Sequence, residues 1–122
     1  MKYSIDKQEG YTVLSLQEEN LNSVVAPNLK SELVILRNEG IENLILNLED
    51  VKFVDSSGLS AILTANRLWN GIGQFVLTGV KHTSVKKLIA ISRLDTILNI
   101  SESLEASIES ISMENLDQEL DG

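Results

Sequence analysis

Asp55, Ser56 and Ser57 place a carboxylate and two hydroxyls directly ahead of Gly58, between an apolar stretch ending at Val54 and a helix-patterned stretch that begins at once. Hydroxyls at the mouth of a helix suit one kind of chemistry well. The first N–H groups of a helix are unpaired and carry partial positive charge, so a phosphate gained there is locally accommodated. A phosphoserine brings about −1.5 to −2 charges and three acceptor oxygens. Such a change can leave a domain folded and alter only what its surface will bind. Asp and Ser are also preferred helix caps, and Gly permits a tight turn, so the same four residues serve a purely structural end as well. The residues alone do not select which serine would be modified.

No other part of the chain offers a catalytic centre. The one histidine, His82, stands between Lys81 and Thr83 with no carboxylate beside it, whereas an activated nucleophile needs a base within reach. No cluster of His, Asp and Glu has metal-ligand spacing. Gly71-Ile72-Gly73 follows a helix instead of opening one, and no P-loop is present. The chain has no cysteine, which removes disulfides, thiolate metal sites and cysteine nucleophiles. We therefore expect a protein that is not an enzyme, with no cofactor and no metal.

The elements that must position the turn are readable from spacing. Tyr3–Lys7 and Tyr11–Gln17 form a hairpin around Gly10. Asn20-Leu21-Asn22-Ser23 is loop chemistry. A first helix starts near Val25 or Ala26 with Pro27 in its first turn, and Ala26, Leu29, Leu33 and Leu36 make its buried stripe. Leu44–Leu48 is a central strand, and Glu49–Val54 a connection with an irregular extended piece. A second helix runs from about Gly58 to Asn70, burying Ala61, Ile62, Ala65, Leu68 and Trp69, with Ser60, Thr64 and Arg67 as a polar stripe. Gln74–Thr78 is a strand. Thr83 or Ser84 caps a third helix ending at Ile91, Thr96–Ile100 is the last strand, and Ser101 caps a final helix.

This order, β-β-α-β-α-β-α-β-α, specifies an α/β domain: a mostly parallel, mixed sheet with an antiparallel N-terminal edge strand and about four helices. At 122 residues, with a net charge of −8, the chain fits one domain that buries roughly two-thirds of its unfolded surface. The charge is uneven. Residues 101–122 carry seven acids and no Lys or Arg, while acids and bases nearly balance before them. We place the domain at residues 1–112 and an acidic, flexible C-terminal tail at 113–122. Without a basic stripe, direct nucleic-acid binding is not expected. No apolar run reaches a membrane span and the N-terminus lacks a signal-peptide layout, so no membrane insertion and a cytoplasmic location are expected.

The stretch Leu46-Asn-Leu-Glu-Asp-Val-Lys-Phe-Val-Asp-Ser-Ser-Gly-Leu59, followed by an apolar helix, resembles the STAS domain of anti-sigma factor antagonists. The resemblance covers about residues 3–110. It implies a STAS-like single domain that works by partner switching in transcription regulation. The unphosphorylated antagonist binds an anti-sigma factor, a serine kinase of GHKL type, and so frees a sigma factor. Phosphorylation releases the antagonist, and a PP2C-type phosphatase reverses the modification. By position the phosphoacceptor is Ser56, flanked by Asp55, Ser57 and Gly58, with Ser57 in a supporting hydrogen-bonding role. The resemblance also places Asn22 and Ser23 on the partner-binding surface, extended by Ser60, Thr64 and Arg67. This chain departs from the family in the loop before the first helix, where Asn22 stands for a frequent Asp and a valine occupies the place of a capping hydroxyl. The alternative within the same resemblance is a structural or interaction subunit of a lipid-transport or stress-signalling assembly.

Overall fold

The computed structural model describes residues 1–121. Its strands are β1 (Tyr3–Gln8), β2 (Tyr11–Leu16), β3 (Asn20–Leu21), β4 (Leu44–Asn47), β5 (Phe53–Val54), β6 (Phe75–Thr78) and β7 (Asn99–Ile100). Its helices are α1 (Ala26–Asn38), α2 (Ser56–Trp69), α3 (Thr83–Ile91) and α4 (Leu104–Asp121), with a 3₁₀ turn at Leu94–Thr96. Five strands form the main sheet in the order β1-β2-β4-β6-β7. The β1–β2 pair is antiparallel and every other pairing in that sheet is parallel. The α/β architecture expected from the sequence, with its antiparallel edge and four helices, is what the chain adopts.

The near-continuous apolar runs of the central strands follow from burial on both faces. Alternate residues Leu14, Leu44, Leu46, Phe75 and Leu77 pack into a large core with α1, α2 and α3. The intervening Val13, Ile45 and Val76 pack instead with Ile111, backed by Leu104 and Ile108 of α4. Three helices therefore cover one face of the sheet and α4 covers the other. Each fully buried Leu or Ile contributes about 1.5–3 kcal/mol relative to exposure. Trp69 is fully buried at the end of α2, and its Nε1 donates to the Ile41 carbonyl at 3.0 Å. Arg37 of α1 donates to the same carbonyl at 2.6 Å, so the C-terminal ends of α1 and α2 are fastened at one point.

Several boundaries differ from expectation, each for a local reason. The stretches read as a loop at Asn20–Ser23 and as an irregular piece at Glu49–Val54 contain β3 and β5, which pair in parallel through Asn20↔Phe53 and Leu21↔Val54. The last strand is shorter than Thr96–Ile100. Arg93 takes a left-handed φ of 56°, Leu94 turns inward and is buried, and the 3₁₀ turn occupies Thr96 before pairing begins at Asn99. Ser101 does not cap α4. Its N–H donates to the Leu77 carbonyl and prolongs the strand, while Ser103 Oγ accepts from Ala106 N at 3.0 Å and caps the helix. The chain does not change structure at residue 113: α4 continues to Asp121. Asn115 holds that part of the helix to the hairpin, donating to the Gly10 carbonyl at 3.4 Å, and Gln74 donates to Glu114. No helix among the described residues is long and apolar enough to cross a membrane.

Candidate functional site

Asp55, the residue before α2, has extended backbone and does not continue β5. Its Oδ1 accepts from Gly58 N at 3.0 Å and satisfies one of the free donors of the first turn. The helix consequently begins at Ser56, two residues earlier than the apolar spacing suggests, and both serines lie in its first turn. Ser56 is exposed and Ser57 half-buried. Gly58 is buried because the helix end is pressed against β3. A Cβ there would stand 2.3 Å from the Leu21 carbonyl oxygen and 2.7 Å from Val54 Cγ1. The Leu21 carbonyl also accepts from Asp55 N at 3.2 Å. The small β3–β5 sheet and the missing Gly58 side chain together bring the α2 start up against the loop before α1.

That loop is organised by Asn22. Its Oδ1 accepts from Val24 N at 3.0 Å and Val25 N at 3.2 Å, and its carbonyl accepts from Ala26 N at 2.7 Å. Val25 at the helix entrance makes no side-chain cap, so Asn22 supplies the acceptor that a hydroxyl would have supplied. Asn22 is thus half-buried and occupied with its own loop, whereas Ser23 is exposed. A shallow depression of about 300 Å³ lies between the two helix starts, with Ser23, Pro27 and Lys30 on one side and Ser56, Ser57 and Ser60 on the other. The sequence-designated residues therefore divide. Ser23, Ser56, Ser57 and Ser60 come together. Thr64 lies one turn farther along α2, donating to the Ser60 carbonyl at 2.9 Å, and Arg67 is exposed nearer the far end of the helix. Neither lines the depression.

Sequence reasoning missed Lys30. Its Nζ crosses from α1 to α2 and donates to Ser60 Oγ at 3.0 Å. The available signal was spacing: Lys30 lies one turn after Ala26, hence close to the same end of α1 as the loop that meets Ser56. Two apolar side chains on the segments leading into the helices were also overlooked. Val24 is 75% exposed and Phe53 58% exposed. Both lie on the segments that lead into α1 and α2, and neither lines the depression. His82 is half-buried before α3 and makes no cap hydrogen bond. A wider depression, about 550 Å³, lies at the other end of the strands around Gly10, Ile41, Asn43 and Asn115 and contains none of the designated residues.

Residues 2–107 match the family model of the STAS domain. The chain belongs to the STAS domain family. Among relatives of this STAS protein is a Bordetella bronchiseptica protein, BtrV, named as a candidate anti-sigma factor antagonist. It is 31% identical over 108 residues, which cover 88% of this chain and 91% of BtrV. In three dimensions the STAS chain resembles an anti-sigma factor antagonist from Mycobacterium paratuberculosis, with a TM-score of 0.83 at 17% identity over 91% of this chain and 93% of the other. It also resembles the Bacillus cell fate determinant SpoIIAA in its phosphorylated form, with a TM-score of 0.68 at 18% identity over 90% of this chain and 99% of that one. The unphosphorylated form of SpoIIAA, an anti-sigma factor antagonist, superimposes with the same TM-score of 0.68, at 17% identity over 93% of this chain and 98% of that one. The solved structures, at these identities, establish the fold.

Proposed function

We propose that this STAS protein is an anti-sigma factor antagonist controlled by phosphorylation of Ser56. Unmodified, it binds an anti-sigma factor serine kinase of GHKL type, and a sigma factor is set free. The kinase then transfers the γ-phosphoryl group of ATP. The Ser56 Oγ–P bond forms, the bond from the γ-phosphorus to ADP breaks, and the hydroxyl proton leaves to a base on the kinase. The modified protein lets go, and a PP2C-type phosphatase hydrolyses the phosphoserine and restores the binding form.

The observation that carries this reading is the position of Ser56. It is exposed in the first turn of α2, on the edge of a depression shared with Ser23 and Pro27, so a kinase can reach it and a docked partner would cover it. The first-turn N–H groups tolerate the added charge. A partner surface closing over it does not, because taking the phosphate charge out of water at a closed contact costs several kcal/mol even when one counter-charge is near, on the order of the effective burial penalty per ion. The Bordetella relative, at 31% identity, supports the choice of partner class. Exposed Val24 and Phe53, on the segments entering α1 and α2, would add apolar contact area for a partner docked there. The domain acts by binding, with the phosphoryl chemistry on the partner enzymes.

The test is to incubate the protein with its cognate anti-sigma factor kinase and ATP and to map the phosphate by mass spectrometry. Ser56 should be the modified residue; phosphate on another residue with Ser56 untouched removes the assignment. Ser56→Ala should hold the kinase persistently in the presence of ATP. Ser56→Asp should bind at least about tenfold more weakly, corresponding to 1.4 kcal/mol or more. Equal affinity of the two variants would refute release by charge.

A further inference from the structure

Lys30 has a half-buried side chain beside the turn that carries Ser56. Among the described residues it is the single charged one lining the depression; the rest of the lining is serine, alanine and proline. Lys7, Lys52 and Lys81 are each ion-paired with a glutamate, whereas Lys30, like Lys2, Lys86 and Lys87, is in no ion pair among the described residues. Its ammonium rests on a hydroxyl, Ser60 Oγ, at 3.0 Å. A neutral oxygen is a weaker acceptor for an ammonium than an anionic one, whose hydrogen bonds are roughly twice as strong.

Ser60 lies four residues after Ser56 in α2. Residues four apart on a helix share one face, with Cβ atoms about 5–6 Å apart. An ammonium already held on Ser60 is therefore one helical turn from the Ser56 hydroxyl. A lysine carries its charge on a flexible four-carbon stem, and a phosphate on Ser56 would itself project part of that distance. Ser56 and Lys30 line the same depression, so no element stands between them.

We propose that Lys30 is the internal counter-charge for a phosphate on Ser56. In the unmodified protein the ammonium rests on Ser60. On modification it transfers to a phosphate oxygen, and Ser60 Oγ is released. The ion pair draws the phosphate over the depression between α1 and α2, where the negative charge meets an incoming partner, and neutralises part of the dianion there. The inference rests on Ser56 as the phosphoacceptor but concerns what the chain does with the phosphate once it is attached.

The experiment installs phosphoserine at position 56 during translation, so that no kinase is needed, and follows the second ionisation by phosphorus NMR across pH. Three proteins are compared: the wild type, Lys30→Gln and Lys30→Arg. The wild type should ionise at a pH lower than Lys30→Gln by about 0.7 unit or more, the least expected of one positive charge in direct contact at about 4 Å through water. Lys30→Arg should retain most of that difference. The Asp55 carboxylate, next to Ser56 in the chain and turned to Gly58 N, opposes ionisation equally in all three and cancels in the comparison. Wild type and Lys30→Gln titrating within about 0.1 pH unit of each other would overturn the proposal, as would Lys30→Arg behaving like Lys30→Gln. Either failure leaves the Ser56 assignment standing, since that is decided by mapping the phosphate added by the kinase. Conversely, phosphate mapped elsewhere removes that assignment while the ion pair is still measured.

Discussion

Replacing Gly58 by alanine tests whether the close approach of α2 to β3 sets the position of the site. Helix propensity by itself favours the change: alanine in a helix is better than glycine by about 1 kcal/mol. The tertiary structure reverses the sign. The new Cβ would lie 2.3 Å from the Leu21 carbonyl oxygen, against 3.4 Å or more for an ordinary contact, with Val54 Cγ1 at 2.7 Å and Leu21 Cγ at 2.8 Å. Backbone must therefore withdraw by roughly 1 Å. That movement costs about 1–3 kcal/mol as overpacking. It also stretches the Asp55 N–H to Leu21 carbonyl bond, now 3.2 Å, which is worth about 1 kcal/mol. Set against the propensity gain, Gly58→Ala should lose about 2 kcal/mol. With an m value near 2 kcal/mol/M, the urea midpoint falls by about 1 M with the slope unchanged. The amide resonances of Leu21 and Asp55 should shift with it. A variant as stable as the wild type or more so, with those two amides unmoved, would show that helix propensity governs position 58 and that the packing described for the α2 entrance is wrong.

Two further predictions concern the surroundings of the site and the sheet edge. Asp55→Ala should cost about 1 kcal/mol by removing the acceptor for Gly58 N, whereas Asp55→Asn, which keeps a capping oxygen, should stay close to wild type in the same urea assay. On the edge strand β1, the Tyr3 hydroxyl donates to Glu32 at 3.1 Å, and this hydrogen bond and the Glu32 charge raise the phenol above its ordinary value of 10.0. A raised value means the folded state favours the neutral phenol. The contact's support is therefore complete below the ordinary value and is lost as pH rises through the raised one. In a Tyr11→Phe background, tyrosinate absorbance should appear at lower pH once Glu32 is changed to Gln; an unchanged titration would remove the contact.

Much of the fold was legible because it depends on short-range periodicity. The stripe Ala26, Leu29, Leu33 and Leu36 is buried as its spacing requires, and the runs at Leu44–Leu48 and Gln74–Thr78 supply β4 (Leu44–Asn47) and β6 (Phe75–Thr78), with both faces covered. Boundaries failed where a side chain or a tertiary contact outweighed periodicity. The cap made by Asp55 started α2 two residues early. The turn around Arg93 and Leu94 shortened the last strand. β3 and β5, two residues each, could not be read because neither has the length to show alternation, and they exist only as each other's partner. At the site, the turn Asp55–Gly58 was visible as a motif, but Lys30, Val24 and Phe53 were not.

The amino-acid order by itself specified an α/β chain with a hydroxyl-bearing turn at a helix entrance and no thiol chemistry, since these follow from residue types and from patterns repeating within a turn or a strand. Tertiary structure alone decided which distant residues meet at that turn. Lys30 reaches Ser60 across thirty positions, Leu21 presses on Gly58, and Ser23 faces Ser56 across one depression. The physical reason is that α1 and α2 enter from the same end of the sheet and pack side by side over a shared core, a relation set by long-range burial that no local spacing encodes.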